Sequence, residues 1–217
     1  MIGSNHSQGN LEVLGISGSL RKGSYNTALL RAAQALAPEG MVITIFDLKD
    51  IPLYNGDVEA EGDPAPVVAL KSAIRAADGV LFATPEYNYS TSGVLKNAID
   101  WASRDHSEGS LEGKPVTVMG AGGMAGTGRA QMQLESILSE TGALVMVKPG
   151  VLVAGPWHKF DEAGRLVNED TGAFLGRHLA AFAQWIRRVG VRHEALVAHE
   201  QLGHVTAKLS QRRVSPD

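Results

Sequence analysis

Hydrophobic residues in this chain switch repeatedly between two spacings. Short β-rich runs at Glu12–Ser17, Val42–Asp47, Gly79–Thr84, Val116–Gly120 and Ala143–Val147 read as strands, with an extension of the last expected at Val151–Ala154. Between them lie helical stripes: Leu29, Leu30, Ala33 and Leu36; Val67, Leu70 and Ile74; Val94, Leu95, Ala98, Ile99 and Ala102. A fourth holds Gln133, Leu134, Ile137, Leu138 and Thr141, stopped by Gly142, and a fifth runs from Thr171 to His193 with Leu175, Leu179, Phe182, Ile186 and Val189 inward. Such alternation predicts an α/β fold: a five-stranded parallel sheet between two layers of helices, doubly wound.

At 217 residues and 44% hydrophobic, the chain suits one sizeable core. We expect a flexible lead-in over 1–10, one domain over 11–193 and an extension over 194–217 whose apolar residues suit a short amphipathic helix. A net charge of -3 argues against nucleic acid or anionic membranes as partners. With no cysteine there is no disulfide, thiol nucleophile or thiolate metal site. No apolar run approaches the roughly 20 residues needed to span a bilayer, and the N-terminus lacks signal-peptide regions. A cytoplasmic location is therefore expected.

Ser17-Gly18-Ser19-Leu20-Arg21-Lys22-Gly23-Ser24-Tyr25-Asn26 follows the first strand and precedes the first helix. Backbone amides, the helix dipole, hydroxyls and a guanidinium converge there, which suits a phosphate. The alternative is a plain strand-to-helix turn capped by Ser24 or Asn26. Lys22 precedes Gly23 instead of following it, so the nucleotide P-loop pattern fails. Gly120-Ala121-Gly122-Gly123-Met124-Ala125 fits a dinucleotide fingerprint loosely, but the next strand ends in Val147-Lys148-Pro149 without the acidic residue that a ribose requires.

The third strand runs into Thr84-Pro85-Glu86-Tyr87-Asn88-Tyr89-Ser90-Thr91-Ser92-Gly93. If the strand order is 2-1-3-4-5, this turn and the first loop border one crevice. Its tyrosines, amide and hydroxyls suit a flat heterocycle with polar edges; the alternative is a turn with Ser92 capping the next helix. A phosphate site beside a ring site implies a mononucleotide.

These motifs, with Gly93-Val94-Leu95-Lys96-Asn97-Ala98-Ile99-Asp100-Trp101, the glycine loop from Gly120, and Phe160-Asp161-Glu162-Ala163-Gly164-Arg165-Leu166, resemble the NAD(P)H-dependent FMN reductase family of flavodoxin-like proteins, which includes chromate, quinone and azo-dye reductases. The resemblance spans roughly Leu11 to Arg192. It implies the 2-1-3-4-5 sheet order, bound FMN, NADPH or NADH as co-substrate, and a homodimer or homotetramer. Carried over by position, Ser19, Arg21, Ser24 and Asn26 would hold the phosphate, with Tyr25 nearby. Pro85, Glu86, Tyr87 and Asn88 would line the isoalloxazine, Gly122 and Gly123 would approach its pyrimidine edge, and Tyr89 would face the substrate. For Glu86, bracing a loop is an equal alternative.

The implied chemistry needs no protein nucleophile: hydride would reach flavin N5 and two electrons would leave to quinones, azo compounds, metal oxyanions or free flavin in ping-pong order. A flavodoxin-type electron carrier and a non-catalytic flavin-binding protein are the alternatives. His158 reads as a surface histidine, and His193, His199 and His204 lack the spacing of a helical metal pair, so no metal site is expected. Trp101 and Trp185 follow helical stripes and read as packing residues.

Overall fold

The structure, a computed structural model, describes residues 10–104 and 109–189. Residues 1–9 of the expected lead-in over 1–10, the end of the last helix and the 194–217 extension lie outside the described residues. Five strands form one parallel sheet: β1 (Leu11–Ser17), β2 (Met41–Phe46), β3 (Gly79–Ala83), β4 (Pro115–Ala121) and β5 (Leu144–Val153). Their order is β2-β1-β3-β4-β5, as expected. Around the sheet stand α1 (Tyr25–Ala35), α2 (Gly56–Glu61), α3 (Ala65–Ala76), α4 (Gly93–Ala102), α5 (Gly128–Glu140) and α6 (169–189).

Because side chains alternate across a strand, each strand feeds two cores. Leu81 and Ala83 face Leu29, Leu30 and Ala33 of α1 and Leu175, Leu179, Phe182 and Ile186 of α6. Val80 and Phe82 face Leu70 and Ile74 of α3, Leu95 and Ile99 of α4, and Leu134 and Leu138 of α5. Each fully buried Leu, Ile or Phe contributes about 1.5–3 kcal/mol. The expected stripes thus supply both cores. Trp101 is fully buried and Trp185 half-buried, and their indole N–H groups donate to the Pro52 and Leu144 carbonyls, both at 2.9 Å.

The structure departs from the sequence reading in four places. The short helix α2 was not expected; it buries no residue and has no apolar stripe, being started instead by the Asn55 cap. β5 is one ten-residue strand, not a strand with a separate extension. Its register on β4 shifts between Thr117 and Met119, a bulge that the Lys148-Pro149-Gly150 stretch disguises as a break. There, Thr117 Oγ1 donates to Met146 O at 3.0 Å, Gln131 Nε2 donates to Val151 O at 2.8 Å, and His178 Nδ1 meets Pro149 O at 2.5 Å. These side chains replace ladder bonds that the bulge forfeits. α6 begins at residue 169, two before Thr171. Gln133, placed inward by its spacing, is exposed.

Strand register positions the loops. Ser17 lies beside Ala83, Ala83 beside Met119, and Ala121 beside Val153. The segments after β1, β3, β4 and β5 therefore emerge together at the carboxyl edge of the sheet, where such folds place their ligands.

Candidate active site

At that edge is a cleft of about 310 Å³ lined by Ser19, Arg21, Ser24, Tyr25, Asn26, Pro85, Glu86, Tyr87, Gly122 and Gly123, together with Ala121, Pro156 and Trp157. Ten of the cofactor residues singled out from sequence meet here. Asn88 and Tyr89 do not line it: they form the tip of the next turn, outside the cleft. His158, beside Trp157, is exposed and also stands outside it. A larger groove of about 590 Å³ between α1 and residues 163–173 is mainly apolar, and none of the cofactor residues singled out from sequence lines it.

The first wall is the 18–26 loop. Gly18 is required by packing, since a Cβ there would stand 2.6 Å from Leu95 Cδ1. Ser17 Oγ accepts from Ser19 N at 3.3 Å and from Thr27 Oγ1 at 3.0 Å, which folds the loop back onto α1. Ser24, not Asn26, caps α1, accepting from Thr27 N at 3.3 Å. Its hydroxyl proton and the first amides of α1 stay available at the helix's positive end. Arg21 reaches Gly23 O at 3.3 Å and has no carboxylate partner among the described residues. Asn26 acts differently from the expectation: 3% exposed, it donates Nδ2 to Ala121 O at 3.0 Å and accepts from Ala121 N at 2.9 Å. It therefore fastens the loop to the end of β4 instead of presenting its carbonyl to a ligand.

The second wall, Pro85–Tyr87, is braced from α5. Glu86 accepts from Arg129 Nε at 2.7 Å and from the backbone amides of Arg129 and Ala130 at 3.1 and 3.3 Å. Burial alone would raise its carboxyl, but these charge-assisted bonds hold it below the usual range. The Glu86 carboxylate is thus spent on the α5 N-terminus, which is the bracing alternative, while its stem still borders the cleft.

Gly122 and Gly123 form the third wall. Gly123 has φ +44°, a left-handed conformation that side chains disfavour, and its carbonyl accepts from Gly155 N at 2.7 Å. That bond carries the 3-10 turn Pro156–His158 over the glycine loop and sets Trp157, 46% exposed, at the rim. Behind it Phe160 pairs with Leu166 and packs on Tyr25 at 5.7 Å between ring centroids. Trp157 and Pro156 were missed from sequence because they lie 130 residues along from the first loop; only the tertiary register unites them. Among the described residues no group of three or more His, Asp or Glu is arranged to hold a metal, and no helix is long and apolar enough to cross a membrane.

Residues 11–158 match the NADPH-dependent FMN reductase family. The chain belongs to that family. An NAD(P)H-dependent FMN reductase of Pseudomonas aeruginosa is 48% identical over 180 residues, covering 82% of this chain and 97% of the relative. A quinone reductase of Escherichia coli is 43% identical over 185 residues, covering 83% and 98%. The solved structure of FerB, a flavoenzyme NAD(P)H:(acceptor) oxidoreductase from Paracoccus denitrificans, is 36% identical with a TM-score of 0.76, covering 82% of this chain and 98% of that one. As a family member the chain is an oxidoreductase of flavodoxin-like fold, with FMN and NAD(P)H as its cofactors.

Proposed function

We propose that the chain holds FMN in the carboxyl-edge cleft and uses NADH or NADPH to reduce quinone-type acceptors, with azo compounds, metal oxyanions and free flavin as further candidates. The observation that carries this reading is the donor set of the cleft. An uncompensated guanidinium, two serine hydroxyls and a helix N-terminus converge with no free carboxylate among them, which fits a doubly charged phosphate monoester. Pro85, Tyr87 and Trp157 supply flat apolar walls, and the Gly122-Gly123 backbone supplies polar groups without side-chain bulk. That pairing fits an isoalloxazine ring.

FMN, when bound, supplies a redox centre that takes hydride at N5 and releases two electrons. The chain's own residues bind and orient it. Arg21, Ser19 and Ser24 neutralise and direct the phosphate, and the Gly123 amide favours negative charge at the pyrimidine edge, the Gly122 amide donating instead to Val153 O at 3.1 Å. No protein nucleophile or general base is required. If one open face serves both substrates in turn, reciprocal plots at several acceptor concentrations are parallel. Purified protein should be yellow and should bleach rapidly when mixed anaerobically with NADPH. Slow or absent bleaching of a yellow protein would favour an electron carrier, and protein that stays colourless in excess FMN would defeat the proposal.

A further inference from the structure

Among the described residues, the only non-glycines with positive φ are Asn88 (49°) and Tyr89 (68°), side by side at the tip of the 87–90 turn. Tyr87 and Ser90 close this turn with reciprocal backbone bonds of 3.0 Å, the left-handed type I′ form. Asparagine tolerates that conformation, but tyrosine does not adopt it unaided. Its surroundings must hold it.

The hold comes from α5. Gln133 Nε2 donates to Tyr89 O at 3.0 Å, and Ser90 Oγ donates to Gln133 Oε1 at 2.6 Å. One turn earlier, the Arg129 guanidinium lies 3.7 Å from the centre of the Tyr89 ring. Gln133 thus spends both ends of its amide on one strained turn, although it is exposed and lines no part of the cleft.

We propose that Gln133 is a positioning residue for the electron acceptor. By keeping Tyr89 and Ser90 in the left-handed turn, it holds Tyr87, the first residue of that turn, 47% exposed at the mouth of the cleft, on the open side where an acceptor would approach the flavin. The inference rests on the function proposed above and adds a determinant of acceptor fit that touches neither cofactor nor substrate.

The test is a mutant cycle on the FMN-loaded protein with 1,4-benzoquinone. Losing one hydrogen-bonded anchor in Gln133→Ala should raise the quinone KM roughly fivefold, with kcat and FMN content within about twofold of wild type. Asn-Gly forms a type I′ turn without help, so in a Tyr89→Gly background the Gln133→Ala effect should fall below about twofold. An unchanged KM in a yellow, NADPH-oxidising Gln133→Ala enzyme overturns the inference. So does an undiminished effect in the Tyr89→Gly background, or a loss of FMN that parallels the KM change. A colourless wild-type protein would instead defeat the functional reading itself.

Discussion

Asn26 and Ala121, 95 positions apart, exchange two hydrogen bonds through one side-chain amide. The first turn of α1 is thereby locked to the end of β4, and two walls of the cleft share one anchor. Asn26→Ala leaves a buried amide and a buried carbonyl without partners. It should destabilise the protein by about 2–4 kcal/mol, read as a lower urea midpoint at unchanged slope. A loss under about 0.5 kcal/mol would mean that water replaces the amide.

Arg21 is the first-loop cation that lines the cleft, and no carboxylate among the described residues neutralises it. Replacing it by alanine should weaken FMN binding by about 10- to 100-fold, the range for charge-assisted hydrogen bonds. Turnover at saturating FMN should change far less. Flavin fluorescence titration measures the first and steady-state kinetics the second; unchanged affinity would place the phosphate elsewhere.

Two glycines near the cleft should respond oppositely to alanine. A Cβ on Gly120 would stand 2.0 Å from Thr127 Oγ1 and 2.4 Å from Thr84 O, so the β3 and β4 ends must part. We expect a loss of about 1–3 kcal/mol or failure to fold. A Cβ on Gly23 meets nothing within 4 Å, and Gly23 is absent from the positive-φ residues. Gly23→Ala should leave thermal stability the same or raise it by up to about 1 kcal/mol. Equal melting temperatures for the two variants would contradict this picture.

His178 gives stability a pH dependence. Burial lowers its pKa, and the Pro149 carbonyl pulls it partly back. The folded state therefore binds fewer protons than the unfolded chain once pH falls below the unfolded value, about 6.5. Its contribution is complete above that value and fades as pH drops toward the folded pKa. Between pH 7 and 5 the wild-type urea midpoint should fall more steeply than that of His178→Gln. Matching slopes would show that His178 does not titrate across the unfolding step.

The sheet was legible because Leu81/Ala83 and Val80/Phe82 must each find an apolar helix face, and short continuous apolar runs flanked by period-3.6 stripes encode that directly. β5 was read as two pieces because its bulge is satisfied by Thr117, Gln131 and His178, distant residues whose partners no local pattern reveals. In the cleft, Ser19, Arg21 and Ser24 were visible as donors next to a helix start. The engagement of Asn26 with Ala121 and of Glu86 with Arg129 was not, because both pairs span long sequence distances. Gln133 misled by fitting a helical stripe while reaching across to another loop.

The strand ends that lead into the cleft at Gly18 and Gly120 are crowded. Thr127 and the Thr84 carbonyl pack against the Gly120 backbone, one residue before the cleft-lining Ala121, and the Leu95 side chain packs against Gly18, one residue before Ser19. The short 3-10 turn that bears Trp157, 46% exposed, is not confined in this way. Side-chain changes that reshape the cleft are consequently tolerated at Trp157 sooner than at Gly18 or Gly120.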